Sequence, residues 1–127
     1  MNVENIKRVR DHIAGLPAER FNMDCWAVGA GQTFPFQLGA EAFLSDCGTC
    51  GCIGGWTNAV FREGVLYSQH AAAKRLGLNE ETADALFFPD QAITGSYDTI
   101  TIPEAVAVLD HLIETGEVDW SVAGEVS

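Results

Sequence analysis

The sequence predicts a mainly α, compact single domain of four to five short helices, with an ordered aromatic- and glycine-rich loop segment at 21–46. Three observations carry that expectation. Apolar residues recur at spacings of three and four in separate segments, as in helices that bury one face. Glycine, proline and capping side chains punctuate those segments. Little of the chain alternates apolar and polar residues as a half-buried strand would, and 127 residues of which 47% are hydrophobic suit one domain.

Each element has its own local reason. Ile6, Val9, Ile13 and Leu16 form an apolar stripe on a first helix over 3–16, which Gly15 and Pro17 end. The segment from Phe21 to Asp46 mixes Gly29, Gly31, Pro35 and Gly39 with Trp26, Phe34, Phe36, Leu38 and Phe43. It reads as an ordered loop packed back on the core, with a short helix near 40–44. A helix over 52–62 carries Trp56, Ala59 and Val60 on one side. Gly54 and Gly55 inside it cost about 1 kcal/mol each relative to alanine, so the helix is placed centrally, where another backbone approaches closely. Ser68 caps a helix over 69–76, with Gly77 at the left-handed position beyond it and Leu78 folding back. Asn79 caps the next helix, whose first turn holds Glu80 and Glu81 and whose apolar side holds Ala83, Leu86 and Phe87; Pro89 stops it. Asp90 to Thr99 reads as a polar loop. Thr101-Ile102-Pro103-Glu104 is a capping box opening a helix through Val106, Leu109, Leu112 and Ile113 to a Gly116 cap. Trp120 is expected to dock on the body, with residues 121–127 frayed.

Charge is distributed unevenly. The net charge is −11. All seven basic residues lie in residues 1–75, balanced there by seven acids, so the whole excess falls on residues 76–127, which hold eleven acids and no Lys or Arg. Acidic adaptation of a whole proteome would spread acids evenly; this layout predicts one strongly negative surface region. Phosphate neutralisation needs clustered Lys and Arg, which argues against direct nucleic-acid binding. A basic protein surface is the expected partner. Within the negative region Glu104, Asp110, Glu114, Glu117 and Asp119 are the candidate partner-binding residues. Asp110 and Glu114 are like charges at i,i+4, and Glu114 and Glu117 sit at the negative end of a helix dipole; both choices disfavour the helix. A competing expectation is that these acids neutralise the basic first helix, within the molecule or in a homo-oligomer. No apolar run approaches the roughly 20 residues of a membrane span, and the N-terminus lacks the pattern of a secretory signal. A cytoplasmic location is expected.

The cysteines admit three readings. Cys25, Cys47, Cys50 and Cys52 could close a tetrahedral zinc site, since Cys47-x-x-Cys50 is a ligand spacing, but a second paired knuckle is missing. A thiol nucleophile at a helix N-terminus would have a lowered pKa, yet the βαβ context of a redox motif is absent. The third reading is small buried residues at a tight loop-to-helix entry, among Gly48, Gly51, Gly54 and Gly55, and it is preferred. No metal and no cofactor are expected: Gly29-Ala30-Gly31-Gln32 lacks the lysine and the helix of a phosphate loop. His12 and His111 are assigned to solvated helical positions.

Several motifs resemble a family of small uncharacterised bacterial and bacteriophage proteins. They are the frame Asp11-His12-Ile13-Ala14-Gly15-Leu16-Pro17 with Phe21-Asn22-Met23, the core Cys47-Gly48-Thr49-x-x-Cys52-Ile53-x-Gly55-Trp56, and the run Arg75-Leu76-Gly77-Leu78. The closing pattern Ile102-x-x-x-x-Ala107-Val108-Leu109-Asp110-His111-Leu112-Ile113 ends in Gly116-Glu117-Val118-Asp119-Trp120. The resemblance spans nearly the whole chain and implies no particular activity. In it Cys47 and Cys52 belong to the motif, whereas Cys25 and Cys50 are additions. The expected function is a non-enzymatic acidic binding protein, phage-borne, acting as an inhibitor or nucleic-acid mimic toward a basic partner. The alternative is a small-molecule-binding or thiol-dependent enzymatic domain centred on the Cys47–Trp56 loop.

Overall fold

The computed structural model describes residues 1–24, 51–63, 66 and 68–125. Among the described residues the chain is mainly helical and has no strand; Phe21 and Gly51 form an isolated parallel bridge. The helices are α1 (Val3–Ala14), α2 (Ile53–Val60), α3 (Gln69–Leu76), α4 (Glu80–Phe87), the one-turn α5 (Gln91–Thr94) and α6 (Ile102–Thr115). Short 3-10 turns η1 (Ala18–Arg20), η2 (Tyr97–Thr99) and η3 (Trp120–Glu125) join or close them. The short helix expected near 40–44 and the rest of the aromatic loop after Asp24 lie outside the described residues.

The caps do what their side chains dictate. Asn2, Ser68, Asn79 and Thr101 each accept the backbone N–H three residues on, satisfying an amide that the first helical turn leaves unbonded. Thr101 and Glu104 form the reciprocal capping box. Gly77 follows α3 in the left-handed conformation, φ 67°, and Leu78 N–H reaches back to Ala73 O at 3.0 Å. The segment Asp90 to Thr99 is not the irregular loop expected. Asp90 caps α5 through Ala92 N–H at 2.9 Å, and the Tyr97 hydroxyl of η2 donates to Pro89 O at 2.6 Å. A four-residue helix is too short to show an apolar stripe, so periodicity cannot reveal it.

Helix α2 is the centre. All eight of its residues are buried, and it touches α1, α3 and α4. Its polar members make specific bonds: Thr57 donates to Ile53 O at 2.7 Å, and the Asn58 side-chain amide donates to Leu66 O and Ser68 O, both at 2.9 Å, while the buried Asn58 Oδ1 has no partner among the described residues. The second bond ties the end of α2 to the cap of α3. Helix α1 packs along α6, with Ile6, Val9 and Ile13 meeting a core that includes Val108, Leu109 and Leu112. Trp120 docks as expected, 5% exposed, with its indole N–H donating to Ala85 O at 2.9 Å. Part of the segment expected to fray, residues 121–125, continues as η3 and buries Ala123.

Candidate functional site

The five candidate carboxylates divide by what they already hold. Glu104 accepts both the backbone N–H and the hydroxyl of Thr101, each at 2.9 Å, so it is committed to the cap. Asp110, near the end of α6, accepts from Arg10 on α1 at 2.8 Å. The same guanidinium reaches Asp11 at 2.9 Å, and the bond to Asp110 followed by that to Asp11 raises the Arg10 pKa above its ordinary value. Asp119 accepts the backbone N–H and hydroxyl of Ser121 at 2.9 and 2.6 Å, and those bonds hold its carboxyl below the usual value. Glu114 and Glu117 are exposed at the far end of α6, with no ion pair or side-chain hydrogen bond among the described residues. One of the candidate acids, Asp110, thus pairs with a basic residue of the first helix, and two, Glu114 and Glu117, face solvent.

The same half of the chain carries further acids on α4. Glu80 and Glu81 open α4, and Asp84 accepts from the Gln69 side chain. A cleft of about 560 Å³ between α3 and α4 is lined by Gln69, His70, Ala73, Glu80, Ala83 and Asp84. Beside it in sequence, Ile93 on α5 is 56% exposed and Phe88 is 45% exposed. η3 contacts both α5 and α6.

Cys52 is buried, and its sulfur accepts Gly55 N–H at 3.4 Å as the cap of α2. Here a cysteine stands where serine or aspartate usually caps, in a site with little access for a substrate. Cys25, Cys47 and Cys50 lie outside the described residues. Among the described residues no group of three or more His, Cys, Asp or Glu is placed to hold a metal, and no helix is long and apolar enough to cross a membrane.

His12 corrects the sequence reading. It is not a solvated helical histidine: its ring lies 5.1 Å from the Trp56 ring, and its buried Nε2 has no hydrogen-bond partner. Periodicity assigns His12 to the polar side of α1 because it sees only the α1 sequence, whereas Trp56 arrives from α2. Burial, and then the charge of Arg20, push its pKa below 6.5. The sign follows from proton binding. Below pH 6.5 the unfolded chain takes up a proton at this position that the folded chain resists, so this contribution to stability is present above pH 6.5 and falls as the pH drops through it. Thermal melts should show a steeper loss between about pH 6.5 and 5 for the parent than for His12→Leu. Parallel profiles for the two proteins would remove His12 from the account.

No protein-family model, no curated protein and no solved structure matches the chain.

Proposed function

We propose that this protein is a small non-enzymatic binding protein, of the bacterial and bacteriophage type its motifs resemble, whose acidic C-terminal half engages a basic surface on a macromolecular partner in the host cytoplasm. One observation carries the reading. Among the described acids after residue 75, Asp110 is the one paired with a basic side chain. Glu114 and Glu117 are left exposed where the helix dipole disfavours them. Local stability does not select such residues, and a local rule broken without compensation points to function. The exposed Ile93 on the same acidic half supplies an apolar contact, which favours a protein partner over a diffuse counterion cloud. A basic, nucleic-acid-binding protein fits: carboxylates would stand where phosphates bind, and the chain would act as an inhibitor.

Capture of proteins from a bacterial lysate at low and high salt tests this, using the parent, the double variant Glu114→Gln/Glu117→Gln, and Asp110→Asn. The parent should retain basic proteins at low salt and release them at high salt. The double variant should retain far less and melt at the same or a slightly higher temperature. Asp110→Asn should instead lose about 0.2–1 kcal/mol of stability at low salt and capture normally. Equal capture by the parent and the double variant would overturn the proposal.

A further inference from the structure

Three helices in this fold end on a residue in the left-handed conformation. After α3 and α6 that residue is glycine, at φ 67° for Gly77 and 79° for Gly116. After α2 it is Arg62, at φ 52°, the one non-glycine residue with positive φ among those described. The backbone bonds there are those of a Schellman turn: Arg62 N–H donates to Ala59 O at 3.1 Å, and Glu63 N–H donates to Asn58 O at 2.8 Å. A side chain at this position strains the backbone. Strain of this kind persists where the surrounding structure holds it and the side chain has a use.

Arg62 lines an open cavity of about 260 Å³ together with Arg8, His12 and Val60. Arg8 approaches from α1 with its guanidinium 5.1 Å from the centre of the Phe61 ring, a cation–π contact that limits its freedom. His12 contributes the buried Nε2 that has no partner, an omission that a native fold seldom leaves unexplained. We infer that this cavity is a binding site for the phosphate group of a small molecule, held by the guanidiniums of Arg8 and Arg62 with His12 Nε2 completing the contacts.

The chemistry selects a tetrahedral oxyanion. A planar carboxylate is served by one guanidinium fork. Here two forks come from separate elements and a third polar atom comes from the ring, an arrangement that offers donors to three oxygens. The volume is below the roughly 300 Å³ at which pockets for larger organic ligands begin, so the phosphate itself, with few atoms attached, is what fits. Arg8 and Arg62 line the cavity with His12, and Arg20 has its guanidinium 5.0 Å from the Trp56 ring that His12 also meets. Burial, and then the charge of Arg20, disfavour a protonated ring in the empty protein. A bound phosphate would reverse that balance and raise the His12 pKa, enabling Nε2 to donate.

The test is NMR of the full chain, following the His12 ring signals during titration with inorganic phosphate, glycerol phosphate, acetate and chloride at matched ionic strength. Inorganic phosphate should give a saturable shift and move the His12 titration midpoint upward. Saturation by glycerol phosphate as well assigns the site to a substituted phosphate, and saturation by inorganic phosphate alone assigns it to the free anion. Arg62→Gly should weaken phosphate binding about tenfold or more, the scale of one lost charge-assisted contact, while its melting temperature stays the same or rises as the backbone strain is relieved. Arg8→Gln should weaken binding similarly. Chloride or acetate shifting His12 as phosphate does, no saturable shift with phosphate, or unchanged affinity in both arginine variants would overturn the assignment.

Discussion

Trp56→Ala should lower stability by about 3–5 kcal/mol, the cost of emptying a large buried aromatic site. The Trp56 side chain is fully buried in the helix that the other elements surround. It also closes a polar junction. The Arg20 carbonyl accepts the indole N–H at 3.0 Å and Gly51 N–H at 3.1 Å, while Asn22 N–H donates to Gly51 O at 3.0 Å. The ring therefore fastens η1 and the Phe21–Gly51 bridge onto α2. Truncation removes the packing and one of the two bonds to that carbonyl. Trp56→Phe separates the two contributions, since it keeps most of the apolar volume and loses the N–H; it should cost about 1–2 kcal/mol. Denaturant unfolding of both variants is the measurement. An alanine variant within 1 kcal/mol of the parent would show that the α2 site is not the core of the fold.

Gly77→Ala should cost about 2–4 kcal/mol, a combination of left-handed strain and lost hydrogen bonds. A Cβ at Gly77 would lie 2.7 Å from the Asn2 backbone nitrogen and 3.1 Å from the Met1 carbonyl carbon. Both are main-chain atoms, so no side chain can swing aside. The approach is close because the start of α1 caps the end of α3: Asn2 N–H donates to Leu76 O at 2.8 Å, and the Asn5 side chain donates to Arg75 O at 2.7 Å. Gly116 is the internal control, with φ 79° and nothing within 4 Å of its would-be Cβ. Gly116→Ala should show the conformational cost alone, about 1–2 kcal/mol. Equal losses at the two positions would mean that the contact between the N-terminus and α3 does not constrain the fold.

The candidate surface was partly legible before the fold was known. The charge segregation, and the unfavourable placement of Glu114 and Glu117, are visible in the residue order. Which acids face solvent is not. Asp110 and Glu114 look alike on a helical projection, yet Asp110 meets Arg10, a residue one hundred positions away, and Glu114 does not. The sequence carries no sign of the Arg62 backbone either. The apolar pattern carries the helix through residue 62, and nothing in the residue order shows that Arg62 itself takes the left-handed turn.

The residue order alone determined where α3, α4 and α6 begin and where α3 and α6 end. Ser68, Asn79 and the Thr101–Glu104 pair bond to amides three residues away, and Gly77 and Gly116 take a backbone form that other residues resist. These interactions close within about one helical turn, so they are present in the sequence as spacing. Tertiary structure decided the partner of each exposed or half-buried group: Arg10 with Asp110, His12 with Trp56, and Asn2 with the end of α3. Such pairs join side chains whose separation along the chain bears no relation to their distance in space. They are settled only when the apolar faces of α1, α2, α3 and α6 have packed, because burial of those faces sets the angle and register at which the polar groups meet.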